Sequence, residues 1–207
     1  MKTTKIITAL LASGLLLSGF VFFSQKNESQ SNSTPAAAQE SGEGIHWHTF
    51  QEAVELGKKE KKKVFIDVYT SWCGWCKVMD KNTFTNPVIA SYINEKFYAV
   101  KLDAEMKDTV RFNNNTFVNP SPNVPRSTHQ LAQSLLGNKL SYPTTVYLDE
   151  DFNLITQVPG YLQPAQLEPI VKYFGENVYK TIQWEEYSKT FKSEIASPPP
   201  AVTPPLH

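Results

Sequence analysis

The stretch Val64-Phe65-Ile66-Asp67-Val68-Tyr69-Thr70-Ser71-Trp72-Cys73-Gly74-Trp75-Cys76-Lys77 decides the fold. Its first six residues are nearly all apolar, β-branched or aromatic, the composition of a strand buried on both faces. Asp67 is the anomaly within that run. Thr70-Ser71-Trp72 leads to Cys73, where a helix is expected to begin. Two cysteines at this spacing bring their sulfurs within bonding reach across one helical turn. The first meets free N–H groups and the positive end of the helix dipole, and both favour thiolate. A thiolate attacks a disulfide, and the second thiol resolves the mixed intermediate.

The rest of the composition narrows the alternatives. The chain has 207 residues with 20 basic and 20 acidic side chains, which argues against nucleic-acid binding through a basic face. Its two cysteines are too few for a four-cysteine zinc site. A bridge between such near neighbours closes almost no loop, so a disulfide-stapled scaffold is excluded. The histidines, at 46, 48, 129 and 207, are scattered, and Lys77 stands where a haem-attachment motif needs histidine. A structural disulfide or half a metal site is the plain alternative for the pair. The strand-to-helix context favours redox chemistry, and no metal ligand set is expected.

Upstream, Thr49-x-x-Glu52 is a capping box, with Phe50, Ala53, Val54 and Gly57 on one helical face. The run Lys58 to Lys63 reads as the solvated end of that helix. Downstream, Asn86-Pro87 opens a helix whose apolar face is Val88, Ile89, Tyr92 and Ile93. Phe97 to Leu102 is the next strand, so a parallel pair with a right-handed crossover is expected. Residues 103–126 interrupt the scheme. There Val110-Arg111-Phe112 and Thr116-Phe117-Val118 flank three asparagines as a small hairpin, and Pro120, Pro122 and Pro125 mark a loop. Ser127-x-x-Gln130 is expected to cap a short helix that Gly137 closes. Thr144–Leu148 and Leu154–Val158 form a hairpin. A helix runs from Pro164 to Phe174 and stops at Gly175, its first turns disturbed by Pro169. Trp184, Tyr187 and Phe191 mark one more helical face, expected to pack back on the domain.

At the N-terminus, Lys2 and Lys5 precede the uncharged stretch Ile6 to Phe23, the pattern of an export signal. Residues 1–24 are therefore expected to be a cleaved signal peptide or a retained membrane anchor. Residues 25–44 read as a disordered spacer, 45–195 as the folded domain and 196–207 as a proline-rich tail.

Residues 47 to about 175 resemble the thioredoxin-like superfamily. The nearer likeness is its exported branch, similar to the C-terminal domain of the membrane thiol-disulfide reductase DsbD. The resemblance rests on the Val64–Lys77 stretch, Thr83-Phe84, Val100-Lys101-Leu102-Asp103, Ser141-Tyr142-Pro143-Thr144-Thr145 and Pro159-Gly160-Tyr161. It implies an α/β fold with a central mixed sheet of about four strands flanked by helices. The 103–126 insertion and a helical extension at 176–195 lie outside the common core. It also implies that Cys73 is the attacking thiolate and Cys76 the resolving thiol. Asp67 would be the buried acid that accepts the proton of Cys76, with Lys101 beside it. Pro143 would be the cis-proline facing the pair. Tyr142 would offer its backbone to an extended substrate, and Trp72 would cover the edge of the site. The intervening Gly74-Trp75 departs from the Gly-Pro of thioredoxin, which leaves the direction of electron flow open.

The function this implies is an exported thiol-disulfide oxidoreductase that reduces protein disulfides and is recharged by a membrane electron donor. It would be monomeric, would sit in the periplasm or anchored outside the cytoplasm, and would use no cofactor beyond its own disulfide. A disulfide oxidase or isomerase is the alternative within the same chemistry. A non-catalytic module that holds Cu(I) or a client protein is the alternative outside it.

Overall fold

A computed structural model describes residues 44–137 and 139–195. The expected export segment, all of the spacer but its last residue, and the proline-rich tail lie outside the described residues. Among the described residues, no helix is long and apolar enough to cross a membrane.

The elements run β1 (Trp47–His48), α1 (Phe50–Lys59), β2 (Lys63–Tyr69), α2 (Gly74–Asn82), α3 (Pro87–Lys96) and β3 (Phe97–Asp103). They continue as β4 (Val110–Phe112), β5 (Asn115–Phe117), α4 (Gln130–Leu136), β6 (Thr144–Leu148), β7 (Leu154–Pro159), α5 (Pro164–Gly175) and α6 (Trp184–Thr190). The main sheet has the order β1-β3-β2-β6-β7. β2 lies at its centre, parallel to β3 and antiparallel to β6. This is the mixed sheet of the thioredoxin-like fold, with five strands where about four were expected. The extra one, β1, has only two residues and pairs with β3 through Trp47 and His48. A two-residue strand carries too little periodicity to stand out in a sequence.

Alternation along β2 divides the core in two. Val64, Ile66 and Val68 face α1 and α4, with Val100, Leu102, Val146 and Leu148 in the same layer. Phe65 faces the opposite way, into a layer built by Met79 of α2, Ile89 and Ile93 of α3, and Leu167 and Val171 of α5. Each such side chain, fully buried, contributes roughly 1.5–3 kcal/mol. The same parity sends Asp67 and Lys101 to the α2 side of the sheet.

Three local expectations need correction. Lys63 is not part of a solvated helix end. It begins β2, is buried, and pairs with Glu150 at 2.5 Å. Ser127 does not cap α4. His129 does, its Nδ1 accepting from the Leu131 N–H at 3.1 Å, while the Ser127 hydroxyl donates to Asn119 Oδ1. Gly175 does not stop α5 but belongs to it, and its value is space. A Cβ there would lie 2.5 Å from the Tyr92 hydroxyl. Pro169 is accommodated inside the same helix. The hairpin turns on Asn113 and Asn114, both at positive φ, a conformation asparagine tolerates better than most residues.

His129 also carries a stability prediction. It is fully buried, and its Nε2–H donates to the Asp108 carbonyl at 2.9 Å while Nδ1 caps α4. His129→Ala removes the cap, the bond and packed volume together. The expected loss is about 2–4 kcal/mol in chemical denaturation. A loss under about 0.5 kcal/mol would show that the insertion is not tied to the core through this residue.

Beyond α5 the chain folds back. Tyr173 gathers the rings of Tyr179, Trp184 and Tyr187 around it. Glu168, buried in α5, accepts from the backbone N–H groups of Glu194 and Ile195 and from Lys172 Nζ.

Candidate active site

β2 ends at Tyr69, and a short turn brings the chain to Cys73 at the N-cap of α2. The Cys73 and Cys76 sulfurs are bonded to each other. Cys73 Sγ also accepts the Cys76 N–H at 3.1 Å, so the first helical turn supplies a donor to the sulfur where negative charge would develop. No acidic residue lies in that turn to oppose the charge. Gly74 and Trp75 are exposed, and both sulfur-bearing residues are buried beneath them.

Two further groups are set by strand register. Asp67 lies opposite Lys101 across the β2–β3 ladder and opposite Thr145 across β2–β6. Lys101 Nζ donates to Asp67 Oδ2 at 2.6 Å and also contacts Asp80 Oδ1 of α2. The ammonium sits near the rings of Trp47, Tyr69 and Phe84, each 5.0–5.2 Å away. Asp67 is 1% exposed, and its Oδ1 has no hydrogen-bond partner among the described residues. Burial pushes its carboxyl up to about 6, although the Lys101 charge opposes the rise. Burial also disfavours the Lys101 ammonium, but Asp67 and Asp80 outweigh it and hold that group above its ordinary value.

A shallow groove of about 200 Å³ is lined by Trp75, which lies between the two cysteines in the chain, and by Tyr142, Pro143, Gly160 and Tyr161. The Tyr142–Pro143 peptide bond is cis. The Gly160 N–H donates to the Pro143 carbonyl at 2.8 Å, and Gly160 holds φ at 100°, a conformation that favours glycine. Trp75 packs against Tyr161 with ring centroids 5.3 Å apart. Trp72 forms the other flank. Its ring meets Tyr142 edge-on at 5.9 Å, and its Nε1–H donates to Glu105 at 2.8 Å.

The structure thus brings Trp75, Tyr142 and Pro143 to one groove, sets Trp72 against Tyr142, and joins Asp67 through Lys101 to Asp80 on the helix that carries Cys76. Asp80, Glu105 and Arg126 also belong to this neighbourhood, and sequence reading did not single them out. Asp80 follows Cys76 by one helical turn, a spacing that places both on one face and was available as a signal. Glu105 and Arg126 come from the insertion, where nothing local marks them. Among the described residues, no group of three or more His, Cys, Asp or Glu could hold a metal.

The chain is 35% identical over 86 residues to Uncharacterized protein B0495.5 of Caenorhabditis elegans, a match covering 41% of this chain and 12% of that protein. It is 38% identical over 45 residues to the Thiol:disulfide interchange protein DsbD of Vibrio vulnificus (strain CMCP6), covering 22% of this chain and 8% of that one. The matches therefore span about a tenth of the length of these curated relatives. Among solved structures, DsbH Oxidoreductase aligns with a TM-score of 0.48 and 16% identity, over 73% of this chain and 95% of that one. The family model described as Thioredox_DsbH, protein of unknown function DUF255, matches residues 26–194, and the chain belongs to that family, within the thioredoxin-like superfamily.

Proposed function

We propose that this protein is a thiol-disulfide oxidoreductase that reduces disulfides in client proteins. The observation that carries the reading is the Cys73–Cys76 disulfide at the N-cap of α2, flanked in sequence by the exposed Trp72 and Trp75, with a buried carboxylate, Asp67, on the strand that leads into it. In the reduced protein, the Cys73 thiolate attacks one sulfur of the client disulfide. The client S–S bond breaks, one client sulfur leaves as thiolate, and Cys73 is joined to the other. Asp67 accepts the Cys76 proton, and the Cys76 thiolate attacks Cys73. The second client thiolate leaves, and the internal disulfide reforms. Two electrons have passed to the client, so each cycle needs an external dithiol to recharge the pair.

Trp72 and Trp75, 50% and 62% exposed, supply an apolar platform on either side of the sulfurs. Tyr142 and Pro143 form the floor against which an extended client segment lies. The Lys2/Lys5 and Ile6–Phe23 pattern supports delivery outside the cytoplasm, where a membrane-held dithiol is the natural donor.

The direction is tested by equilibrating the pair against glutathione. A value near that of thioredoxin, about −270 mV, is expected, together with catalysed reduction of insulin by the reduced protein. A value near about −120 mV would instead make the protein an oxidant. Absence of any disulfide turnover, with tight Cu(I) binding, would replace the enzymatic reading by a binding one.

A further inference from the structure

We infer that Arg126 is a specificity-determining residue that favours client disulfides flanked by a carboxylate side chain. The inference rests on the disulfide-reducing role proposed above and extends it to the insertion.

The insertion is fastened to the core beside the active site. The Ala104 N–H donates to the Tyr69 carbonyl at 2.8 Å, and the His129 N–H donates to the Ala104 carbonyl at 2.7 Å. Its far loop is pinned by Asn119, which is buried. The Asn119 amide donates to the Ser127 carbonyl at 2.7 Å, and its Oδ1 accepts from the Ser121 N–H at 3.1 Å. Arg126 sits in this pinned loop at φ 64°, between Pro125 and Ser127.

That geometry lays the guanidinium over the Trp72 ring, 4.9 Å from its centroid. Trp72 is fixed from two further sides, by Glu105 at Nε1 and by the Tyr142 ring. The clamped ring directly precedes Cys73, and Tyr142 directly precedes Pro143. Arg126 therefore stands one ring away from the backbone that a client must approach. It is exposed, and among the described residues it makes no ion pair; the one carboxylate at the Trp72 ring, Glu105, accepts from the indole N–H through Oε1. A guanidinium stacked on an aromatic ring keeps its in-plane donors free and is weakly hydrated. It is suited to bidentate pairing with a carboxylate. Lys77, exposed and next to Cys76 in the chain, adds a second positive charge.

The test uses the full-length reduced protein and three synthetic peptides, each with one internal disulfide. They differ only in the residues flanking the cysteines, which are Glu, Gln or Lys. The Glu peptide is expected to have the highest kcat/KM and the Lys peptide the lowest, with about fivefold between Glu and Gln, carried by KM. The preference should collapse in high salt. It should vanish in Arg126→Gln and invert in Arg126→Glu. Each variant is judged by its own Glu-to-Gln ratio, so a general loss of activity does not mimic the effect. A Glu preference that survives in Arg126→Gln, or that is absent from the unaltered protein while the peptides are reduced, overturns the inference and leaves the function standing. Failure of the unaltered protein to reduce any of the peptides overturns both.

Discussion

Cys73→Ser reduces catalysed insulin reduction to the rate of the solution without protein, whereas Cys76→Ser accumulates a covalent adduct with the client. The asymmetry follows from the position of the two sulfurs on α2. Cys73 is the N-cap, and its sulfur already accepts the Cys76 backbone N–H. In the reduced protein, that donor and the helix dipole stabilise a thiolate at Cys73. Serine in its place has a far weaker nucleophile and cannot form the mixed disulfide. Cys76 lies within the helix, buried, and attacks only the neighbouring sulfur. Without it the first exchange proceeds and the second does not, so the client stays bonded to Cys73. Non-reducing electrophoresis and intact-mass measurement read the adduct directly. Turnover unchanged in Cys73→Ser, or trapping through Cys76 instead, would sink the assignment of roles.

Much of this candidate site is legible in the sequence. The apolar run before the cysteines announced a buried strand, and a charged residue inside it announced a special environment. β2 obeys that reading because its strand is covered by helices on both faces, leaving Asp67 nowhere to meet water. The pairing of Asp67 with Lys101 was less accessible. It depends on the β2–β3 register, which is a tertiary property, and only the family resemblance suggested it. The helix caps show a similar division. Thr49 and Asn86 cap their helices as their local patterns indicated. The Ser127 pattern looked as good, yet Asn119 holds that hydroxyl, and His129 takes the cap two residues later. A local motif yields when a buried side chain from elsewhere offers a better partner. The insertion was invisible in function for the same reason. Glu105 and Arg126 gain meaning only when Asn119 and His129 fold their loop against Trp72.

Asp67→Asn is expected to make the disulfide form of the protein more stable at pH 7.5, and to slow its reaction. In the native protein the Asp67 carboxyl has been pushed from an ordinary 3.8 up to about 6 by burial. A carboxyl raised in this way binds its proton more tightly when folded than when unfolded. Its favourable contribution is present below pH 3.8 and is lost as pH rises through about 6. Above that point, holding the buried charge costs about 3 kcal/mol relative to the protonated form. Asparagine is a neutral, nearly isosteric replacement, so it escapes the cost at high pH and has nothing to escape at low pH. That cost is already net of the attraction to Lys101, and Asp80 remains as a partner for the ammonium once the carboxylate is gone. The net gain is therefore about 2–3 kcal/mol at pH 7.5, shrinking toward zero by pH 4. Denaturant titrations at the two pH values measure it. Equal stabilisation at both would show that Asp67 does not carry a buried charge at neutral pH. The same substitution removes the proton acceptor for Cys76, so resolution of the mixed disulfide should slow by about 10²-fold while its formation by Cys73 is spared. Stability gained and turnover lost in one substitution would locate in Asp67 a charge that the fold tolerates for its chemistry. A variant that gained stability with no slowing of resolution would leave the buried carboxylate without a catalytic role.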